Sequence, residues 1–315
     1  MKKVIFTVFF YALAHCAFSQ TTDIIAPPPN WTRGGFVDLK FSDTHFTNWA
    51  AGGDNALNIN SAFNAFSNYK KDKLTWDNKI DLAYGLVKLG SQKGFRKSDD
   101  RLDFTSKAGY KASQFWYYSA MFNFKSFVAP GYNYVNDSTK KLISKFLSPA
   151  WAEFNIGMDY KPIPEFSLFV SPIANRLIMV LDDSLAKAGV GGIKEKLNAN
   201  GQVVGNSDHF RYEFGATVKA NYNKKNIIKN VDLNTSLGLF SNYLDQPENV
   251  DIFWDVLIAM KVNKLISASV ASSLIYDQNV PIPVYEEIAG VKTKVGEGPR
   301  TQFRRIIGVG FNYKF

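Results

Sequence analysis

Apolar and polar side chains alternate strictly at the end of this chain, and this pattern is the feature that most limits how the sequence can fold. In the last ten residues, IIGVGFNYKF, large apolar side chains at Ile307, Val309, Phe311, Tyr313 and Phe315 are separated by small or polar residues. A period of two places every second side chain on the same face of a β-strand. Chain termini of soluble domains usually fray. A terminal aromatic therefore indicates that this strand is held and that its apolar face does not meet water.

The same alternation recurs from residue 35 to the end of the chain and predicts twelve strands, an even number. Helical spacing of the apolar residues fits none of these segments. The predicted strands are residues 35–42, 56–70, 73–86, 101–111, 115–125, 151–161, 165–172, 210–222, 230–243, 249–262, 265–277 and 302–315.

The lengths of the connections between these segments also alternate. The short connections are KKDK, KASQ, KPIPE and VNK, and NKKNIIKN is moderately short. The connections that alternate with them are long and comprise residues 44–55, 88–100, 126–149, 181–207 and 278–299. The exception is LDQPE, between the ninth and tenth segments, which is short where the alternation calls for a long connection. Transmembrane barrels have short periplasmic turns and long extracellular loops. A β-sandwich has no reason to sort its loops in this way. The sequence therefore predicts an all-β fold, a transmembrane antiparallel β-barrel of about twelve strands with both termini in the periplasm.

Charged residues on the predicted strands fall almost wholly on one face, which a bilayer would enforce because a charge at the lipid midplane costs about 2–4 kcal/mol. A soluble two-sided sheet would show the same segregation, so alternation alone leaves that alternative open. Cations and anions are balanced, which suggests cross-strand ion pairs and not a strongly ion-selective pore. The residues predicted to line the lumen are Asp77, Lys79, Asp81, Asp103, Lys107, Lys111, Glu153, Arg211, Glu213, Lys219, Asp255 and Arg304.

Aromatic residues make up 15% of the chain, and many of them lie near predicted turns. Amphipathic rings favour the boundary between hydrocarbon and headgroups. We expect an interfacial girdle of Tyr69, Tyr110, Trp116, Tyr118, Tyr160, Tyr222 and Tyr313. Phe311, Tyr313 and Phe315 also resemble the C-terminal signal that assembly machinery reads in bacterial outer-membrane barrels.

The N-terminus has the pattern of an export signal. Lys2 and Lys3 precede an apolar run from Val4 to Phe18, and the small residues of AFSQ predict cleavage before Gln20. The predicted division is a signal peptide at 1–19, a periplasmic linker at 20–34 and the barrel at 35–315. LAHC at Cys16 partly resembles a lipoprotein processing box, which is the weaker alternative because His15 stands where a small residue is required. If Cys16 leaves with the signal, the mature chain has no cysteine chemistry.

Two stretches resemble a domain-of-unknown-function family of Bacteroidota outer-membrane barrels. NWAAGGDNALNINSAFNAFSNYKKDKLTWDNKIDLAYGLVKLG is similar to the opening of that family, and SPIANRLIMVLDDSLAKAGVGG to its middle segment. The resemblance covers nearly all of the mature chain and implies an outer-membrane location and a barrel fold. It implies no activity, because the family has no assigned chemistry.

Residues suited to catalysis are few, and we expect no enzyme activity and no cofactor. Ser207, Asp208 and His209 are consecutive, so on an extended segment they point to alternating sides and cannot form a relay. The His-x-Ser arrangement of twelve-stranded outer-membrane phospholipases is absent at both His45 and His209. A membrane hydrolase that uses one of these histidines is the least favoured function.

Binding sites for ions, glycans and nucleic acid are also weakly indicated. Asp182 and Asp183, with Asp54 or Asp208, could supply oxygen ligands to Ca²⁺. LDDSLAKAG is more simply a short helix with Asp183 as N-cap and Gly189 as terminator. DST at Asp137 and DSL at Asp183 resemble Bacteroidota O-glycosylation sites. The net charge of +9 comes mainly from lysines in turns, which does not favour nucleic acid. We therefore expect no metal site and no nucleic-acid partner.

Two functions remain open for a barrel of this size. Eight strands enclose a lumen filled by side chains and sixteen or more enclose a water channel, so twelve strands are intermediate. The favoured prediction is a porin-like channel in the cell outer membrane that passes small polar solutes. The alternative is a non-conducting scaffold, adhesin or secretion-complex component that binds a protein through loops 126–149 and 181–207. The expected partners in either case are outer-membrane lipids and the barrel assembly machinery.

Overall fold

A computed structural model describes residues 30–44, 56–90, 92, 94–134, 139–193, 198, 200, 208–263, 266–288 and 291–315. The predicted signal peptide and most of the predicted linker lie outside these residues. Among the described residues, no helix has the length and apolar character needed to cross a bilayer.

Twelve antiparallel strands close into a barrel, which confirms the predicted fold. Their order round the ring is β1-β16-β13-β12-β11-β10-β9-β8-β5-β4-β3-β2. Two further hairpins, β6–β7 and β14–β15, stand within connections of the barrel. The strands are β1 Trp31–Thr44, β2 Ala56–Lys71, β3 Leu74–Leu89, β4 Arg96–Lys111, β5 Trp116–Ser126, β6 Gly131–Tyr134, β7 Lys140–Ser144, β8 Ala150–Tyr160, β9 Phe166–Met179, β10 Phe210–Ile228, β11 Val231–Asn242, β12 Val250–Lys261, β13 Ile266–Tyr276, β14 Pro281–Ile288, β15 Val291–Pro299 and β16 Gln302–Lys314.

Connections at the two ends of the barrel differ in length. One end, here called the turn end, carries the links β2–β3, β4–β5, β8–β9, β10–β11 and β12–β13, and also the start of β1 and the end of β16. The other, here called the loop end, carries the remaining links, two of which contain the extra hairpins. Asp72 and Asn230 take left-handed backbone conformations in the tightest turns, with φ of 50° and 65°, which Asp and Asn tolerate better than most residues.

Several connections differ from the predicted ones because strands run further than the alternation indicated. Only residues 90–95 separate β3 from β4, whereas 88–100 was predicted as a long loop, and β10 continues to Ile228 through the predicted NKKNIIKN turn. The first strand begins at Trp31, within the segment predicted as a linker. The hairpins β6–β7 and β14–β15 were not predicted, because short hairpins inside loops lack long alternation.

The short helix α1 spans Asp183–Lys187, and a 3₁₀ helix spans Val190–Gly192. The predicted N-cap was wrong by one residue: the Asp182 side chain accepts hydrogen bonds from the backbone N–H groups of Ser184 and Leu185. Gly189 follows the C-cap with a φ of 71°, so it ends the helix as the sequence indicated.

Barrel closure explains the aromatic residue at the C-terminus. The backbone of Phe315 exchanges hydrogen bonds of 3.0 and 3.1 Å with that of Gly35. The Phe315 ring lies 6.3 Å from the ring of Phe63 on β2 and is 56% exposed on the outer face. A Cβ at position 35 would lie 2.2 Å from the Asn64 carbonyl and 2.6 Å from the Phe315 ring. A side chain at position 35 is therefore excluded, and the last residue seals the seam between the first and last strands.

Alternation along the strands produces an apolar outer face and a charged inner face. Large apolar side chains are exposed outward round the ring, among them Leu39, Phe122, Phe154, Val170, Tyr212, Trp254, Phe303 and Ile307. Charges on the inner face are mostly buried or ion-paired, including Asp38, Asp159, Arg176, Glu213 and Asp251.

Candidate functional site: the charged lumen

All twelve residues predicted to line the lumen lie at inner positions of the strands. Cross-strand register carries this face round the ring, since Asp81 is opposite Asp103, Asp103 is opposite Lys125 and Glu153 is opposite Arg176. The predicted residues are Asp77, Lys79 and Asp81 on β3, Asp103, Lys107 and Lys111 on β4, Glu153 on β8, Arg211, Glu213 and Lys219 on β10, Asp255 on β12 and Arg304 on β16.

Arg176 on β9 is the centre of the largest ion-pair network in the lumen. Its guanidinium lies 3.0 Å from the Glu153 carboxylate, 3.2 Å from Glu213 and 2.9 Å from Asp251. Lys219 binds the second oxygen of Glu153 at 2.8 Å. These five residues, here called the Arg176 cluster, join strands β8, β9, β10 and β12.

Aromatic rings cover the Arg176 cluster and exclude water from it. The guanidinium carbon of Arg176 stands 3.7 Å from the ring centroid of Phe240 and 5.5 Å from that of Phe253. Side-chain exposure is 5% for Arg176 and 1% for Glu213. Buried charges need well-placed partners of opposite sign, and Arg176 has three carboxylates within 3.2 Å. The cluster fills the part of the lumen beside β8–β12.

A second network lies nearer the turn end. Lys107 on β4 binds the buried Asp159 on β8 at 2.6 Å, and Ser167 donates a hydrogen bond to the same carboxylate at 2.6 Å. Lys161 in the β8–β9 turn lies 3.4 Å from Asp159 and 3.3 Å from Asp77. This network ties β3 and β4 to β8 and β9 across the inner face.

Three cations on β3, β5 and β16 keep much of their side chains accessible. Lys79, which pairs with Asp81 at 2.8 Å, has 57% of its side chain exposed, and Arg304, which pairs with Asp99 across the lumen, has 44%. Lys125 is 41% exposed and pairs loosely with Asp103 at 3.7 Å, and its ammonium lies 5.7 Å from the centroid of the Phe253 ring. We call Lys79, Asp81, Lys125 and Arg304 the open side of the lumen.

Of the three remaining predicted residues, Asp255 and Arg211 have local partners. Asp255 accepts a hydrogen bond of 2.6 Å from Ser273 on the neighbouring strand. Arg211 lies 3.2 Å from Glu213 and borders the Arg176 cluster. Lys111 ends β4 at the turn end, opposite Tyr117.

Two loops at the loop end fold onto each other and contact Arg211 at the edge of the Arg176 cluster. Leu185 and Ala186 of helix α1 pack with Val180, Ile193 and the partly buried Leu142 of β7. Lys145 binds Asp182 at 2.6 Å and joins the β5–β8 connection to the β9–β10 connection. This assembly is here called the cap. Gly192, with a φ of 70°, lies against Arg211, because a Cβ there would stand 3.0 Å from the Arg211 guanidinium carbon. The cap therefore rests directly on the inner charges.

The structure describes only some of the residues that enter the histidine and metal hypotheses. His45, Asp54, Asp137 and Ser207 lie outside the described residues. His209 Nδ1 donates to the Val180 carbonyl at 2.7 Å and Nε2 lies 3.3 Å from Asp183, so both nitrogens are engaged in the cap. In the described part of the chain, no group of three His, Cys, Asp or Glu side chains is placed to hold a metal ion.

Aromatic residues predicted for the girdle lie on the outer face near the turn end. Tyr69 contacts Trp31 at 5.1 Å, and Trp116 contacts Tyr160 at 4.8 Å between ring centroids. Trp31 and Trp76, 6.1 Å apart, extend the same band. The outer positions of Tyr110, Tyr118, Tyr222 and Tyr313 follow from the register with Leu74, Met158, Thr235 and Val37.

Sequence reasoning missed Arg176, because the predicted seventh strand ended at Pro172. The pairing of β9 is irregular at this point with both neighbouring strands, β8 and β10. On β10, Thr217 lies opposite Ser171 and Gly215 lies opposite Ala174. Proline has no N–H for the ladder and occurs in strands at edges or bulges. The apolar alternation resumes in a shifted phase after Pro172, and this shifted phase was the available signal for a longer β9.

Residues 41–132 match the model of a family described as protein of unknown function (DUF3078). The resemblance to an uncharacterised domain-of-unknown-function family is thereby confirmed over this range, while the middle segment at 171–192 lies beyond it. Comparison with curated proteins gives no match.

Solved structures with a similar architecture come from several bacteria. The translocator domain of the autotransporter NalP from Neisseria meningitidis is 10% identical, with 98% of this chain and 95% of that chain covered and a TM-score of 0.37. An outer membrane channel from Pseudomonas putida F1 is 13% identical, with coverages of 94% and 100% and a TM-score of 0.39. The P. putida toluene transporter TodX is 12% identical, with coverages of 92% and 91% and a TM-score of 0.30. Similarities this distant do not identify a function.

Proposed function

We propose that this chain is an outer-membrane β-barrel that passes small polar solutes through a narrow, off-axis passage along the open side of its lumen. The apolar outer face supports the membrane location, because exposing so many large apolar side chains to water would be costly. Short turns at the end that holds the start of β1 and the end of β16 support a periplasmic turn end and an extracellular loop end.

The observation that carries the proposal is the unequal accessibility of the inner charges. Arg176 and Glu213 are buried, with aromatic rings against Arg176 and the cap against Arg211, so we expect no solute path beside them. Lys79 and Arg304 on the open side keep 57% and 44% of their side chains accessible. A passage lined by paired charges of both signs favours small hydrated solutes over a single ion type.

Planar-bilayer recording on the folded full-length barrel tests this proposal. We expect small discrete openings with weak ion selectivity. The variant K79E/R304E reverses two accessible cations on the passage wall, so the reversal potential under a salt gradient should shift toward cation selectivity. The control K140E changes a lysine on β7 outside the barrel and should leave the reversal potential unchanged. A barrel that folds and inserts but never opens would refute the channel.

Exposed apolar side chains on the cap favour a second candidate function, a scaffold that binds a protein partner outside the cell. Ile143, Phe146 and Leu181 are each about half exposed beside the Lys145–Asp182 pair. The variant F146S/L181S should then lose partners in pull-downs while conductance persists. Unchanged partners would argue against the scaffold. We further propose that the chain is not an enzyme; ester or lipid turnover by the purified barrel that disappears in H209A would contradict this.

A further inference from the structure

The rim of the barrel at its turn end is strongly basic. Positive side chains there outnumber the carboxylates among the described residues. The cations are Arg33, Lys70, Lys71, Lys73, Lys111, Lys161, Lys224, Lys225, Lys229, Lys261 and Lys314, and the carboxylates are Asp72, Asp77, Asp159, Glu165 and Asp232.

Most of these carboxylates are already neutralised by rim lysines. Glu165 pairs with Lys224 at 2.5 Å, and Asp232 pairs with Lys261 at 2.8 Å and with Lys314 at 3.4 Å. Asp77 and Asp159 share Lys161, as described above. Within the part of the chain that the structure describes, the exposed side chains of Lys70, Lys71, Lys73, Lys225 and Lys229 lie beyond ion-pair distance of any carboxylate. The rim therefore carries a net positive charge that faces solvent.

The depth of these lysines relative to the aromatic girdle indicates what they meet. Tyr69 and Trp76 are opposite each other in the girdle. Lys71, also at an outward position, and Lys73 in the following turn come next toward the rim, whereas Lys70 lies at an inner position. With a rise of about 3.3 Å per residue along a tilted strand, the ammonium groups stand within about 10 Å of the girdle. Girdle aromatics mark the headgroup boundary. These lysines therefore lie at the depth of lipid phosphates.

Unpaired lysines occur on opposite sides of the ring. The β2–β3 turn holds Lys70, Lys71 and Lys73, and the β10–β11 turn holds Lys225 and Lys229, half the ring away. A protein that docked at one side would meet only one of these groups. A lipid leaflet surrounds the barrel and meets both, so the placement favours lipid.

The β10–β11 turn adds an apolar component to the basic rim. Ile227 and Ile228 are 46% and 70% exposed, and the ladder is irregular between Lys224 and Ile228. Apolar side chains flanked by lysines are the composition of segments that lie at anionic membrane surfaces.

We propose that the turn-end rim binds the phosphates of anionic phospholipids in the periplasmic leaflet, with Lys71 and Lys73 on one side and the β10–β11 turn on the other. The inference rests on the proposed membrane location and is independent of whether the lumen conducts. Each lysine near an anionic surface contributes about 1 kcal/mol, or about fivefold in binding.

Lipid retention by the full-length barrel tests the proposal. The barrel is folded into nanodiscs of equimolar phosphatidylglycerol and phosphatidylcholine, and the lipids that remain bound after detergent exchange are measured by native mass spectrometry. Wild type should retain phosphatidylglycerol in excess. K71Q/K73Q should reduce the excess at least about fivefold, and K225Q/K229Q should also reduce it. The matched control K140Q/K141Q removes two exposed lysines at the loop end and should retain the wild-type excess.

The outcomes separate this inference from the proposed function. Equal retention of both lipids by wild type, or an excess unchanged in both rim variants, would overturn the inference. Displacement by inorganic phosphate, but not by sodium chloride of equal ionic strength, would also overturn it in favour of a free-anion site. Failure to insert into phosphatidylcholine alone would instead refute the membrane barrel, and silent bilayer recordings would refute only the channel.

Discussion

Replacing Arg176 by methionine should destabilise the barrel more than any exposed charge replacement on the lumen wall. Methionine fills a similar length but removes the cation that Glu153, Glu213 and Asp251 share at 2.9–3.2 Å. Lys219 still reaches Glu153 and Arg211 still reaches Glu213. Asp251 keeps only a hydrogen bond of 3.3 Å from the backbone N–H of Gln278.

The expected loss in the free energy of unfolding depends on how deeply each ion pair is buried. Removing one partner of a buried ion pair costs about 3–5 kcal/mol, because the remaining charges stay desolvated. Exposed pairs contribute about 0–1 kcal/mol. The matched control is therefore K79M, which breaks the Lys79–Asp81 pair of 2.8 Å on the open side, where the lysine is 57% exposed. R176M should lower the free energy of unfolding by about 3–5 kcal/mol and K79M by less than about 1 kcal/mol.

Urea unfolding in neutral lipid vesicles, followed by tryptophan fluorescence, measures both changes. The variant R176M/D251N also removes the one carboxylate left without a cation, while Lys219 and Arg211 still pair with Glu153 and Glu213. It should recover much of the loss, since no buried charge is then unpaired. Equal stabilities for R176M and K79M would show that the Arg176 cluster is solvated, and the filled part of the lumen would then be wrongly described.

Other substitutions test the barrel seam and the cap. F315A should lower the free energy of unfolding by about 1 kcal/mol through loss of the contact with Phe63. G35V should lower it by more, since its Cβ meets the Asn64 carbonyl. Unfolding curves of both variants that match the wild type would contradict the seam. Hydrogen bonds from Lys145, from Ser184 and from the backbone N–H of Leu185 hold the pKa of Asp182 well below its usual range. The carboxylate contact is therefore present above the usual pKa of about 3.9 and is lost only as pH falls through the lowered pKa. Limited proteolysis at about pH 4 should spare the wild-type cap and cut K145Q faster, and equal rates would count against the contact.

Much of the barrel could be predicted from the sequence, because apolar and polar side chains must alternate along a strand that faces lipid on one side only. Inner positions such as Asp81, Lys107 and Glu213 are fixed by a period of two alone, and loop lengths fix the two ends. The aromatic at Phe315 could be predicted as outward-facing for the same reason, although its partner Gly35 could not.

The arrangement inside the lumen could not be predicted in the same way. Which inner charges meet depends on strand stagger and on bulges, and alternation does not report either. The bulge near Pro172 hid Arg176, and with it the asymmetry between the filled and open sides. The cap depends on contacts such as Lys145 with Asp182, between loops that are far apart in the chain. Short helices and hairpins in loops leave too little periodicity to be recognised.

Spin labels along the last strand test most directly the central claim that alternate residues face hydrocarbon. Single cysteines are placed at positions 306–311, and their collision rates with oxygen and with a polar nickel complex are measured in vesicles. Positions 307, 309 and 311 should favour oxygen, which concentrates in lipid, and positions 306, 308 and 310 should not. A uniform profile, or greater access of the nickel complex at the odd positions, would contradict a membrane barrel.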